Sequence, residues 1–412
     1  MDTRISTEIV DTVKTKKILA ILLGVAVSLT LTACLGVSPK KVSAPEYALQ
    51  VPANSYLSRQ FEQSIKKNPG LSGFYLLDNG QDTLSLISYL IDHSERTLDL
   101  QYFIFHSDKT GKLVAYKLLK AADRGVKIRI LLDDMFAISQ EDFLDTLNVH
   151  PNISVRLYNR LSKKKWLRAV NFLTDFARVN RRMHNKAFIV DNQLAIVGGR
   201  NIGDAYYTAK LKYLFSDLDV VSVGPIVPEI SQSFDEYWNA KWAAKLPTYD
   251  SKYLKEIMAD ITTDIKENYK TVMGSVYGRS LKKLRVGHDL VSGKTPLIWA
   301  SYKVLYDPPS KVGGLKKKNI NFVESRIIEY TRYAQDEVSV VSPYFIPSRF
   351  GMGWIKKLRR NSIKISLVTN SFASNDTPVA HGGYKRYRKR LLKRGVSLFE
   401  FKPDAFSTER SD

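Results

Sequence analysis

From residue 84 onward the apolar positions switch between two periods. Leu84, Ile87, Leu90 and Ile91 recur at helical spacing, and Thr97 to Phe105 then reads as a strand. Leu113 to Arg124 returns to a helical pattern that Gly125 ends, and Val126 to Leu132 reads as a buried strand. This alternation predicts an α/β fold.

The pattern also repeats. Gln101-Tyr102-Phe103-Ile104 is echoed by Pro343-Tyr344-Phe345-Ile346, Val126 to Ile130 by Ile363 to Leu367, and Ile153 to Leu157 by Val396 to Glu400. Offsets of about 237 to 243 residues predict one unit present twice. The expected organisation is a first lobe over 61–246, a connector over 247–322 and an incomplete second lobe over 323–412. The connector is mixed and basic, with Gly274, Gly278, Asp307-Pro308-Pro309 and Lys316-Lys317-Lys318. Tyr102 and Tyr344 close equivalent strands, a place that suits a ligand cleft as well as a core.

The first 60 residues follow neither period. Lys14, Lys16 and Lys17 precede an apolar run from Ile18 to Leu31, and Leu31-Thr32-Ala33-Cys34 follows. A basic region, a short apolar stretch and small residues predict a signal peptide over 1–33. The run is too short for a comfortable membrane span. Residues 34–60, with Pro39, Pro45 and Pro52, read as a tether. Cys34 is the only cysteine, so no disulfide forms within the chain.

Composition narrows the class. An apolar fraction of 44% with 11% aromatic residues gives a real core and excludes disorder for the bulk of the chain. At 412 residues there is room for two domains or one large two-lobed one. A net charge of +22 favours phosphate-bearing partners, either anionic lipid or nucleic acid. Basic clusters at Lys163 to Trp166, Arg178 to Arg182 and Lys385 to Arg394 suit an anionic lipid surface, or are simply solvated faces. Six histidines and one cysteine form no recognisable metal-ligand cluster, and no cofactor is implied.

The chemistry concentrates in Met183-His184-Asn185-Lys186-Ala187-Phe188-Ile189-Val190-Asp191, closing on Gly198-Gly199-Arg200-Asn201. His184 and Lys186 are two apart and share a face if the segment is extended. Asp191-Asn192-Gln193 supplies turn chemistry before the apolar run from Leu194 to Val197. Gly198 and Gly199 would let the backbone approach a phosphate closely. A neutral imidazole can attack phosphorus, and an ammonium stabilises the crowded oxygens without a metal.

This spacing, H-x-K, four residues, D, six residues, G-G-x-N, resembles the HKD motif of the phospholipase D superfamily. The Gly-Gly-Arg-Asn ending is similar to the bacterial cardiolipin synthase-like branch; the superfamily's usual form has Gly-Ser at this point. Leu100 to Phe105, Ala121 to Val126, Leu131 to Asp134, Ser233 to Asn239 and Val379 to Tyr384 extend the likeness over about residues 80 to 402. The resemblance implies duplicated α/β sandwich lobes whose two H-x-K hairpins meet at one cleft. It implies His184 as nucleophile and Lys186 as phosphate clamp, with Asn201 a further oxyanion donor and Asp191 more a turn-fixing residue than a substrate contact. The carboxylate behind His184 would be Asp217, with Asp219 as runner-up on the same strand face. Leu31-Thr32-Ala33-Cys34 resembles the bacterial lipoprotein signal, which implies lipidation of Cys34 and an extracytoplasmic membrane surface, the outer membrane or periplasm in a Gram-negative cell.

The expected function is therefore phosphatidyl transfer on anionic phospholipid, with an alcohol acceptor such as phosphatidylglycerol. A phosphodiesterase or nuclease of the same superfamily is the rival, and a non-catalytic membrane-tethered fragment is a third reading. The repeat offset places a second H-x-K hairpin near position 425, beyond Asp412, so the 412 residues carry the nucleophilic half of the expected chemistry.

Overall fold

The computed structural model describes residues 44–49, 54–162, 168, 173–207, 217–246, 252–313, 323–375 and 377–402. It divides into a larger unit, running to Val304 and including Pro308–Lys317, and a smaller one made of Leu305–Asp307 and the chain from Lys318. The expected signal peptide, Cys34 and the Lys163 to Trp166 cluster lie outside the described residues.

Three parallel strands organise the larger unit: β2 (Thr97–Tyr102), β3 (Lys127–Asp133) and β4 (Ile153–Tyr158). With β1 (Ser72–Leu77), β5 (Ala187–Val190), β6 (Leu194–Gly198), β7 (Asp219–Val223), β8 (Ala243–Lys245) and β9 (Ile298–Ala300) they form one nine-stranded sheet. Its order is β8-β4-β3-β2-β5-β6-β7-β1-β9.

Helix α1 (Tyr56–Lys67) leads into β1, and α2 (Gly80–His93) is started by Asn79, whose side chain accepts from the Gln81 amide at 2.8 Å. Leu84, Ile87, Leu90 and Ile91 are all buried on α2, so the apolar stripe faces the core. It meets Leu98, Leu100 and Tyr102 of β2, Ile128 and Ile130 of β3, and residues of α3 (Lys109–Asp123) and α4 (Glu141–Asn148) in one cluster.

Strand alternation sends Asp99, Arg129 and Arg156 to the opposite face. There α5 (Ile226–Trp238) covers the sheet. Asp99 takes two 2.7 Å hydrogen bonds from Arg129, which also pairs with Asp235 at 2.8 Å and lies 4.8 Å from the Phe234 ring centroid. Arg156 stacks over Trp238 at 4.3 Å. Removing one partner of such a buried network costs about 3–5 kcal/mol, since the remaining charge is left without compensation.

Two expected boundaries move. Part of the tether is clamped: Glu46 accepts from Arg156 at 2.8 Å and from Trp238 Nε1 at 3.1 Å, while the Ala48 amide donates to Asp235 at 2.8 Å. Residues 44–49 are thus a strap on the α5 face, and α1 begins inside the former tether. The connector is not a connector over most of its length. Its long helix α6 (Lys252–Gly274) packs on α3, with Tyr116 and Tyr269 stacked at 4.0 Å. Helix α7 (Val286–Val291) packs on α2, and β9 adds an edge strand to β1. These residues carry Ile265, Val272, Leu281, Leu290 and Val291 into the main core, a burial pattern that Gly, Pro and Lys content obscured.

The smaller unit repeats the central motif. Strands β10 (Glu337–Val341), β11 (Lys364–Asn370) and β12 (Ser397–Phe401) are parallel in that order, with α8 (Arg349–Arg360) and α9 (Pro378–Leu392) as the crossovers. Val338 pairs with Ile365 where Leu98 pairs with Ile128 in the larger unit. Met352, Ile355, Leu358, Tyr384 and Leu391 of the two helices bury against Ile365 and Leu367. No helix among the described residues is long and apolar enough to cross a membrane.

Candidate active site

The hairpin that carries the chemistry forms because its turn chemistry and its registers agree. Phe188 faces Ile196 and Val190 faces Leu194 across the antiparallel pair. Asp191 and Asn192 both take φ of about +50°, which Asp and Asn tolerate better than other side chains, and the Gln193 amide closes the turn on Val190 O at 2.9 Å.

Asp191 does more than turn the chain. Its buried carboxylate accepts from the amides of Glu95 (2.9 Å), Arg96 (2.7 Å) and Thr97 (2.8 Å), and its own amide donates to Thr97 O at 2.9 Å. The residue therefore locks the far end of the hairpin to the start of β2. No substrate contact follows from this placement.

At the other end, His184 and Lys186 stand on the extended segment entering β5. Lys186 Nζ lies 3.2 Å from the His184 ring nitrogens and donates to the His184 carbonyl at 2.8 Å. Desolvation, with the neighbouring ammonium second, pushes the His184 imidazole down to about 4. Desolvation likewise pushes Lys186 down to about 8, against the charges of Asp217 and Asp219. His184 stays open to solvent while Lys186 is buried. Near neutral pH the pair is then a neutral, accessible imidazole beside a fixed cation.

The preceding residues are held by Asp133 at the end of β3. It is fully buried, accepts from the Met183 amide at 2.9 Å and from Arg182 Nε at 2.7 Å, and so fixes the chain immediately before the nucleophile. Burial drives the Asp133 carboxyl upward, with Arg182 opposing. Arg178 is occupied too, donating to Asn159 Oδ1 at 2.7 Å. The Arg178 to Arg182 cluster is therefore built into the fold rather than offered to a lipid surface.

Several expected roles change. Asn201 is buried, its oxygen accepting from the Ile104 amide at 3.0 Å and its nitrogen donating to Tyr206 Oη at 2.8 Å. It braces the exit of β2, with its oxygen and one of its two amide hydrogens engaged. Gly198 and Gly199 stand where the chain at Asp217 and Asp219 leaves little room for a side chain. A Cβ on Gly198 would stand 1.9 Å from Asp219 Oδ1 and 2.6 Å from its Cα, and one on Gly199 would stand 2.3 Å from Asp217 Oδ1.

The two aspartates divide. Asp219 is buried against Arg200, whose Nη1 lies 2.8 Å from Oδ2 and which also donates to Leu77 O at 3.0 Å. Asp217 is raised by desolvation and feels Arg200, Asp219 and then Lys186. It bears on the lysine of the motif. Among the described residues no carboxylate is hydrogen-bonded to His184, so neither aspartate occupies the expected place behind the imidazole.

Tyr102 is a core residue, 4% exposed, and burial pushes its phenol upward. One residue along, the pleat turns the other way. Phe103, which the sequence did not single out for the site, is 4.9 Å from the His184 ring and 5.7 Å from Lys186 Nζ. Gln101 shares that side, its amide reaching Met183 Sδ at 3.1 Å, and period-2 counting from it would have chosen Phe103. Tyr344 belongs to the smaller unit, where it stands exposed in the segment after β10. Among the described residues no group of three or more histidine, cysteine, aspartate and glutamate side chains could hold a metal ion.

Known proteins are similar to this chain in sequence and in fold. A family model described as cardiolipin synthase, phospholipase D-like domain, matches residues 87–238, which contain the hairpin. Cardiolipin synthase C of Escherichia coli K12 is 40% identical over 337 residues, spanning 82% of this chain and 71% of that one. A cardiolipin synthase A of Pseudomonas fluorescens is 33% identical over 172 residues, 41% of this chain and 33% of that one. The crystal structure of phosphatidylserine synthase from Haemophilus influenzae superposes with a TM-score of 0.52 at 13% identity, covering 85% of this chain and 78% of that chain, a likeness of fold.

Proposed function

From the premise that the chain belongs to the phospholipase D-like family of cardiolipin synthases, we propose that it performs phosphatidyl transfer on anionic phospholipid, with His184 as the nucleophile. A nitrogen of the neutral imidazole attacks phosphorus, the bond from phosphorus to the head-group oxygen breaks, and the departing alkoxide takes a proton from a general acid. The alcohol of a second lipid, such as phosphatidylglycerol, then gives its proton to the conjugate base of that acid and attacks phosphorus, and the phosphorus–nitrogen bond breaks to free His184. Water in place of that alcohol gives hydrolysis.

One observation carries the reading: a solvent-exposed imidazole within 3.2 Å of a buried ammonium. The lysine charge meets the crowded phosphoryl oxygens, where a preorganised cation counts most. The charges of Asp217 and Asp219 favour the protonated lysine.

The covalent phosphohistidine at His184 is the intermediate of this reading, and it is the species the test below detects. We also place the protein on the extracytoplasmic face of a membrane through lipidation of Cys34, a reading supported by the basic and apolar run before that residue. Fatty-acid labelling in cells that is retained by a Cys34→Ser variant would overturn it.

The function is tested with vesicles of head-group-labelled and phosphorus-labelled phosphatidylglycerol. Acid-labile phosphorus label on the wild-type chain, absent from His184→Ala, is expected. Equal labelling or turnover in His184→Ala would refute the assignment. Cleavage of a soluble phosphodiester with no reaction on vesicles would favour the phosphodiesterase or nuclease reading.

A further inference from the structure

The smaller unit contains a groove that the chemistry at His184 does not use. It has a volume of about 410 Å³ and lies between α8 and α9, whose other faces bury against the three-stranded sheet. Helix α8 contributes Arg349, Gly353 and Lys356, spaced i, i+4 and i+7, and therefore on one stripe. Helix α9 contributes Tyr387 and Arg390, spaced i and i+3, and Arg394 follows at i+7 past its end.

Three of the four cations in this groove are not consumed by the fold. Arg394 is committed, donating to Met352 O at 2.7 Å, and so ties the two helices together at the base of the groove. Arg390 sits over the Tyr387 ring, its Cζ 4.6 Å from the centroid, a cation–π contact that leaves its N–H donors unspent. No carboxylate is paired with Arg349, Lys356 or Arg390 among the described residues. Elsewhere in the unit acids do find cations, as Glu400 finds Arg388 at 2.9 Å. At the middle of the stripe a Cβ on Gly353 would meet nothing within 4 Å, so the groove is open there.

We propose that this groove of the smaller unit is a docking site for the phosphate of an anionic phospholipid head group, separate from the His184 site. Three unpaired cations around an open cleft match the charge and size of a phosphodiester head group. The neighbouring side chains choose lipid over nucleic acid. Phe350, beside Arg349, is 55% exposed, and Leu392, between Arg390 and Arg394, is 54% exposed, which places apolar groups among cations as a membrane interface requires.

The test is vesicle co-sedimentation of the full 412-residue chain, comparing phosphatidylcholine vesicles with vesicles also containing phosphatidylglycerol. Binding common to both reports any other lipid contact; the difference between them reports the groove. Each cation near an anionic surface is worth about fivefold in partitioning. A Lys356→Glu/Arg390→Glu double variant should lose the phosphatidylglycerol-dependent part by at least roughly twenty-five-fold. Gly353→Leu keeps every charge, has room for its Cβ and puts a side chain into the opening, and should lose most of it too. A Lys385→Glu/Lys389→Glu double variant, with the same charge change on α9 outside the groove, should keep most of the dependence.

Wild-type binding by Gly353→Leu, or equal losses in the two double variants, would overturn the proposal in favour of diffuse charge. An oligonucleotide that binds through Lys356 and Arg390 while phosphatidylglycerol has no effect would also overturn it. Helical circular dichroism checks that each variant is folded. His184→Ala should sediment as wild type, so failure of the catalytic reading and failure of the docking site are separately visible.

Discussion

Replacing Asp191 separates a locking role from a chemical one. The carboxylate accepts three backbone amides and is fully buried. Of the three donors, Thr97 is buried, whereas Glu95 and Arg96 are exposed and can turn to water when the acceptor is gone. Bonds to a charged group are worth about 1.5–3 kcal/mol each, and a stranded buried amide costs about 1–3 kcal/mol. Ala at φ of about +50° adds roughly 1–2 kcal/mol. With the two exposed amides mostly recovered by water, Asp191→Ala should cost about 4–6 kcal/mol. Asn keeps the backbone geometry and one oxygen, which can still serve Arg96 and Thr97, so Asp191→Asn should cost about 1–2 kcal/mol. At roughly 2 °C per kcal/mol for a unit of this size, the melting temperature falls by about 8–12 °C for Ala and about 2–4 °C for Asn. Thermal melts followed by circular dichroism measure this. Phosphohistidine formation, normalised to folded protein well below the melt, should stay within a few-fold of wild type. If Asp191→Ala melts like wild type and forms no phosphohistidine, the carboxylate belongs to the chemistry and the locking argument is wrong.

Two further predictions rest on charge. The His184 imidazole becomes neutral as pH rises through about 4 and Lys186 loses its proton past about 8, so phosphohistidine formation at subsaturating lipid should plateau between those values. Lys186→Arg should abolish the alkaline fall, since guanidinium stays charged; limbs near the ordinary values for histidine and lysine would show that the desolvated pair is misread. Glu46→Gln should release the strap over 44–49 at a cost of about 1–3 kcal/mol, read as faster protease cleavage there with the rest of the larger unit intact. Desolvation of Glu46 opposes it, but Arg156, Trp238 and Lys245 hold its carboxyl below the usual range. The strap's ionic contribution is therefore full above the ordinary glutamate value and lost as pH falls through the lowered one, and protease sensitivity should rise in that direction. Protection of the strap that is identical in Glu46→Gln and wild type at all pH values would refute the clamp.

Much of this was legible in the order of residues alone. The helical stripe of α2, the β2-β3-β4 alternation and its echo in β10-β11-β12 follow from periods of 3.6 and 2, which are local properties of the chain. The H-x-K spacing put His184 and Lys186 together, because two residues apart on extended backbone is a geometric certainty. Asp-Asn after an apolar run announced the turn, because those side chains tolerate the left-handed region.

What the sequence could not decide was which long-range partner each polar group would find. Asn201 faces Ile104 and Tyr206, Asp219 faces Arg200, and Asp217 bears on Lys186, pairings that depend on how distant strands come to lie side by side. The choice between Tyr102 and Phe103 turned on the phase of a pleat, which only the pairing of β2 with β5 fixes. The expected connector over 247–322 looked like a linker because its composition is mixed and basic, and residues 252–313 of it became part of the core when α2 and α3 offered a surface to bury them. Local periodicity determined the elements and the reactive pair. Tertiary contact assigned the charges, because the energy of a buried ion or amide depends on the group that stands opposite it.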